Sequence, residues 1–378
     1  MNRARAASAG AHSRRLALFI LIVAAQFGIF EAALRTWGSS EAAPSFQGLF
    51  EGDPDIGHRL KPHARTRFAT SEFAADIAIN GAGVRDNEEL GPKAPNERRI
   101  VLLGDSLVLS VQVPFEQTFG ELLERQLNAG ASVHRYRVIN AGVQGYGPIE
   151  EQLFFEKIAG RLEPDLVMAV IFVGNDAEEA VSSKPKLAGD ARTQASRVSD
   201  SVLTRLRRLV RRSMVLQILR LRAVAATERF TTTLTPPEPP LQSYAANPAP
   251  RIAEGLTISR GCIERIGTVA SHAGATTAVV LMPARFQVDD ADYGRLRDAV
   301  ASAGGELVRD AATERFDQTL APLAMPRLDL LPALRARLPG PDLFYQETVH
   351  LTPLGHEVVA DGLARFIEDH RDELRLPR

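Results

Sequence analysis

The feature that most constrains this chain is the segment DLVMAVIFVG at 165–174, an almost unbroken apolar run. A strand that faces water on one side alternates apolar and polar residues. A continuous run of this length needs both faces covered, as in the middle of a parallel sheet. Its surroundings repeat the theme. RIVLLG (99–104) and YRVIN (136–140) precede it, and TTAVVLM (276–282) follows. Helical spacing lies between the runs: Phe119, Leu122, Leu123 and Leu127 mark a helix over 116–129. Residues 148–161 form a second helix with Pro148 in its first turn, and 354–369 a terminal one. Alternating strands and helices predict an α/β domain, a three-layer αβα arrangement around a central parallel sheet.

Length and charge limit the rest. The 378 residues carry 45 Lys and Arg against 46 Asp and Glu, for a net charge of -1. Nucleic-acid binders carry a basic excess, so none is expected as a partner. The single cysteine, Cys262, excludes an internal disulfide and a cysteine-rich zinc site, and reads as a small buried apolar residue. No phosphate-binding G-x-x-x-x-G-K-[ST] string occurs. The pair Gly81 and Gly83 lacks the third glycine and the following helix of a dinucleotide fingerprint. No cofactor and no metal are called for, since His350 and His356 are six apart with no acidic cluster to complete a site.

The N-terminus departs from the average. LALFILIVAAQFGIF (16–30) has Gln26 as its only polar residue and follows Arg14 and Arg15. A basic flank before an apolar run marks a signal anchor or a signal peptide. The positive-inside bias leaves the Arg-rich tip in the cytoplasm and the remainder outside it. We read 1–37 as tip plus hydrophobic helix with 16–34 in the membrane; a cleaved signal and a buried helix are the alternatives. In the cleaved case the protein is secreted or periplasmic. Residues 38–97 then form a small β-rich lead-in, with alternating stretches at Thr66–Phe68 and Asp76–Ile79. Residues 98–378 form the main domain, interrupted by an insertion at 181–250 that ends Pro-rich. Within it, 202–222 reads as an amphipathic helix, with Leu203, Leu206, Val210, Met214 and Leu221 opposite Arg205, Arg208 and Arg212. Such a helix fits either a cap packed on the domain or a lid on an anionic surface.

Four short strings carry the chemistry. Gly104-Asp105-Ser106-Leu107 follows the first run, and Asn140-Ala141-Gly142-Val143-Gln144-Gly145 the second. Gly174-Asn175-Asp176 follows the third, and Glu347-Thr348-Val349-His350-Leu351-Thr352-Pro353 precedes the last helix. Open α/β sheets bind ligands at the carboxyl ends of their strands, which is where the first three fall. Each has a plain structural reading as a turn, because Asp, Ser, Asn and Gly all serve turns. Together they supply a serine, donors for an oxyanion, and a histidine base with a nearby carboxylate, the parts of an acyl-transfer site.

In order and content, the four strings resemble the conserved blocks of the SGNH/GDSL hydrolase superfamily, over about residues 98–370. The stretch AINGAGVR (78–85) resembles membrane-anchored bacterial members. The resemblance implies a flavodoxin-like fold and a serine esterase acting on acyl esters, often O-acetyl groups of envelope or exported glycans. It implies Ser106 as nucleophile, His350 as base, and the Ser106 amide with Gly145 and Asn175 as oxyanion hole. The family's aspartate falls two or three residues before the histidine, where this chain has Thr348 and Glu347. Glu347 takes that role in our reading; a Ser–His dyad and a chain that has lost hydrolysis are the alternatives. Arg285, after the fourth strand, is an expected substrate contact. An O-acetyltransferase using the same residues and a non-catalytic glycan-binding protein remain the rival functions. The oligomeric state is not legible.

Overall fold

The computed structural model describes residues 26–28, 48–130, 133–187, 241–337 and 342–377. Most of the 16–34 segment and all of the 202–222 helix lie outside them. Within 16–34 only Gln26–Gly28 are described, and they are helical. Among the described residues no helix is long and apolar enough to cross a membrane.

The chain from Phe50 begins with two antiparallel hairpins. β1 (Phe50–Asp53) pairs with β2 (Gly57–Leu60), and β3 (Arg65–Ala69) with β4 (Ala74–Ala78). In β3 and β4 exposed residues alternate with less exposed ones, so one face packs inward while the other carries pairs such as Arg67–Asp76.

The five-stranded sheet follows. β5 (Glu97–Gly104), β6 (Arg135–Gly142), β7 (Leu166–Phe172), β8 (Thr276–Met282) and β9 (Arg327–Asp329) lie in the order β6-β5-β7-β8-β9. Every neighbouring pair is parallel. All seven residues of β7 are buried, so both faces are covered, as its sequence requires. α3 (Pro148–Leu162), α4 (Asp176–Leu187) and α5 (Pro250–His272) pack on one another. α2 (Phe119–Leu127) packs against α10 (Pro353–Asp369). Short helices α6 (Arg285–Val288), α7 (Asp290–Ser302), α8 (Ala311–Leu320) and α9 (Leu331–Arg335) fill the path between β8 and α10.

Two differences from the sequence reading have simple causes. β9 is a fifth strand of only three residues, two partly buried and Asp329 exposed, too short to give an apolar run. The first helix starts at Phe119, because Phe115–Gln117 form a separate 3-10 turn and Thr118 caps the helix by accepting from the Glu121 amide.

The strand order reverses direction at β5, between β6 and β7. In an open α/β sheet this is the place where a crevice forms at the carboxyl ends. The loops after β5, β6 and β7 all open there.

Candidate active site

β5 ends at Gly104, and the chain turns at once into α1 (Ser106–Leu109). Asp105 caps this helix, its Oδ1 accepting the Leu107 N–H at 2.7 Å. The tight turn depends on missing side chains. A Cβ on Gly142 would meet the Leu109 backbone nitrogen at 2.3 Å, and one on Gly104 would meet Val108 Cγ2 at 2.4 Å. Both glycines therefore let α1 sit directly on the ends of β5 and β6. Asn140 adds a clamp, its Nδ2 donating to the Val108 carbonyl at 2.7 Å. From the lead-in, the buried Arg85 guanidinium donates to the carbonyls of Leu109, Ser110 and Val113. Burial among neutral carbonyls lowers its pKa to about 9.

Ser106 is thus presented at the sheet edge, and His350 meets it. Ser106 Oγ and His350 Nε2 are 3.0 Å apart. Their separation in sequence is 244 residues. His350 sits in a hairpin-like loop, closed by the Tyr345 amide donating to the His350 carbonyl and the Thr352 amide to the Leu343 carbonyl. Thr352 then caps α10, with Pro353 at its first position. Burial alone pushes the His350 imidazole down to about 4, so at neutral pH the ring is uncharged and able to accept a proton.

The carboxylate expected behind His350 is elsewhere. Glu347 is exposed, and its Oε2 accepts from Ser71 Oγ at 3.1 Å. The atom facing His350 Nδ1 is Thr348 Oγ1, at 3.3 Å. That oxygen also accepts the His350 N–H at 3.1 Å. A hydroxyl oxygen has two lone pairs, so it can take both hydrogens. This orients the ring with Nδ1 protonated and Nε2 free for Ser106, but adds no negative charge. The reading of Glu347 as the orienting acid is corrected accordingly. Its side chain is drawn to the lead-in, and the residue one place closer to His350 fills the position.

Arg285 is likewise not a free substrate contact. Its Nη1 donates to the carbonyls of Tyr345 and Gln346 at 2.8 and 2.9 Å, and its Nε pairs with Asp292 at 2.5 Å. It braces the histidine loop.

Gly145 and Asn175 follow β6 and β7, on the edge that carries Ser106. Gly145 is exposed with φ of 71°, a conformation that glycine adopts without strain. The lead-in reaches this loop too: His58 Nε2 donates to the Gln144 carbonyl at 2.9 Å, and Tyr146 Oη to the His58 carbonyl at 2.6 Å. One hydrogen of Asn175 Nδ2 goes to Glu179 Oε1 at 2.8 Å, which leaves a second hydrogen on that nitrogen.

Beneath the serine turn lies a group of buried carboxyls that the sequence reading passed over. Glu151 of α3 is fully buried and its two oxygens have no hydrogen-bond partner. Asp176 is also fully buried, with Oδ2 accepting the Phe172 N–H at 2.9 Å. Desolvation comes first, then repulsion from Asp105 on Glu151 and from Glu151 on Asp176, and together they hold both well above the ordinary carboxyl range. Desolvation raises Asp105 to about 6 and, with repulsion from Asp105, Glu179 to about 7. At neutral pH much of this group is uncharged, so little negative charge opposes an oxyanion nearby. Cys262 is buried, as expected, and its thiol is pushed up to about 12 by that burial and by Glu151.

Sequence alone does not single out Arg85 by itself, although AINGAGVR contains it, and it marks Thr348 only as a place where the family has its aspartate.

No family model and no curated protein matches the chain. Solved structures do. A structure of TesA is similar with a TM-score of 0.41 at 12% identity, covering 72% of this chain and 99% of that one. A catalytic mutant of Axe2, an acetylxylan esterase from Geobacillus stearothermophilus, gives 0.40 at 11% identity, covering 74% and 96%. The lipase/acylhydrolase from Enterococcus faecalis gives 0.40 at 15% identity, covering 72% and 96%. These are remote likenesses of layout. The chemistry of this chain rests on its own atoms.

Proposed function

We propose that the protein is a serine esterase of the SGNH type. The observation that carries this reading is the 3.0 Å approach of His350 Nε2 to Ser106 Oγ at the carboxyl edge of a parallel sheet. A neutral imidazole in hydrogen-bond reach of a serine hydroxyl is the minimum for an activated nucleophile. In the first half-reaction Ser106 Oγ bonds to the acyl carbon and His350 Nε2 takes its proton. The tetrahedral oxyanion is held by the Ser106 and Gly145 amides and the remaining Asn175 hydrogen. Collapse breaks the ester bond, and His350 returns the proton to the leaving alcohol. In the second half-reaction water attacks the acyl-enzyme, giving its proton to His350, and Ser106 is regenerated with release of the acid.

The finer part of the proposal rests on the resemblance to the SGNH/GDSL superfamily and, for the membrane, on the apolar N-terminal segment. The acyl group is small, of O-acetyl size, and the alcohol belongs to an envelope or exported glycan. The apolar 16–34 segment tethers the enzyme with its catalytic domain outside the cytoplasm. Replacing water with a sugar hydroxyl in the second half-reaction would make the same site an O-acetyltransferase.

The test is turnover of nitrophenyl acetate by wild type and Ser106→Ala. Loss of essentially all turnover, by about 10⁴-fold or more, is the expected result. Equal rates would remove Ser106 from the mechanism.

A further inference from the structure

The segment 345–347 has no regular secondary structure, so its backbone groups must find partners elsewhere. They find side chains from two distant elements. The carbonyls of Tyr345 and Gln346 accept from Arg285. On the other side, Glu72 accepts both amides: Gln346 N–H to Oε1 at 2.6 Å and Glu347 N–H to Oε2 at 2.8 Å. One carboxylate takes two successive backbone hydrogens, a charge-assisted arrangement that fixes direction as well as distance.

Glu72 is itself held. It lies in the turn between β3 and β4, where Thr70 Oγ1 accepts the Glu72 and Phe73 amides at 3.2 and 3.3 Å. The Thr70 amide donates to the Phe73 carbonyl at 2.8 Å. Phe73 stacks on Phe68 of β3 and lies with its ring 5.0 Å from that of Tyr345. Tyr345 Oη in turn donates to the Gln112 carbonyl, in the loop that follows α1. Ser71 of the same turn holds the Glu347 carboxylate. The turn therefore touches the histidine loop through two amides, one side chain and one ring.

We propose that Glu72 is a positioning residue for His350, and that the β3–β4 hairpin is a working part of the catalytic centre. Among the described residues no carboxylate is bonded to the His350 ring, so its placement depends on the loop that carries it. That loop is fixed through Glu72 on one side and Arg285 on the other. This inference rests on the serine-esterase reading, and the test separates the two.

The variants are Glu72→Ala and Glu72→Gln, measured in nitrophenyl acetate turnover, in thermal unfolding and in amide hydrogen exchange. Glu72→Ala lowers kcat by about 10- to 100-fold with KM within about twofold, since a small displacement of a catalytic group costs this much. Glu72→Gln keeps the shape and one oxygen acceptor and recovers part of the rate. Unfolding midpoints stay near wild type in both. In exchange, protection is lost in Glu72→Ala at Gln346 and Glu347, and at Tyr345, whose amide bonds the His350 carbonyl. Unchanged kcat, or unchanged protection at Tyr345, overturns the proposal. So does an equal loss in both variants accompanied by a lowered midpoint, which would mark a structural role alone. If wild-type turnover proves independent of Ser106, the esterase reading falls, and the exchange result still decides whether Glu72 places the loop.

Discussion

Ser106 and His350 are 3.0 Å apart and are held by opposite kinds of structure. The serine is placed by the ends of two neighbouring strands, a capped turn and two glycines that admit α1, with Asn140 and Arg85 clamping that turn. The histidine is placed by a loop whose backbone hydrogen bonds go to Glu72 and Arg285, far away in sequence. Placement by packed strand ends and a helix start is rigid. Placement by borrowed side chains can fail at any one donor or acceptor without unfolding the domain. The difference teaches where this site is vulnerable: in the support of the base more than in the nucleophile.

In the support of the base, the largest expected effect separates Thr348 from Glu347, two and three places before His350. Thr348→Val removes the acceptor for Nδ1–H and for the His350 amide. Leaving buried groups unpaired costs about 1–3 kcal/mol, so kcat/KM should fall about 10- to 100-fold. Glu347→Gln, which touches Ser71 and not the ring, should change kcat/KM less than about threefold. Steady-state kinetics on a short acyl ester checks both. A reversed order would restore Glu347 as the orienting acid.

The pH profile sharpens the same contrast. Burial lowers the His350 pKa to about 4, so the neutral base persists on acidification and is lost only as pH falls through that value. The acid limb of kcat/KM should therefore have its midpoint near 4. A midpoint near the ordinary histidine value of about 6.5 would mean a solvated or carboxylate-paired ring.

The smallest effect concerns the buried carboxyls under the serine turn. Their folded values are raised, so the folded chain binds more protons than the unfolded one, and stability is lost as pH rises through those values. The buried histidines are neutral in the folded chain but partly protonated in the unfolded chain near pH 6.5, so they oppose this trend until about pH 7.5. Above about pH 7.5 the unfolding midpoint should fall as pH rises. Glu151→Gln removes one charging group and should raise the midpoint at pH 8 by a few degrees, with a smaller gain at pH 6.5. An equal shift at both pH values would assign the gain to packing.

How much of this was legible depended on whether the cause was local. The apolar run at 165–174 announced a covered strand, and the strings ending in Ser106 and His350 announced a pair to be brought together. The direction of Glu347 was not legible. Positions two and three before a loop histidine are both within reach, and Ser71, 276 residues away, decides which one faces it. Arg285 was read as a substrate contact, but its partners are carbonyls of a loop whose path no periodicity encodes. Nothing in the sequence marks Glu151 apart from the neighbouring Glu150 on α3. Only the packing of α3 against the sheet shows that it is buried.

The most direct test of the central claim is the rate at which a fluorophosphonate attaches to the protein, with the modified peptide identified by mass spectrometry. In the wild type the label should fall on Ser106, and in His350→Ala the rate should drop by about 100-fold or more. A label on another residue, or the same rate in both proteins, would contradict the account.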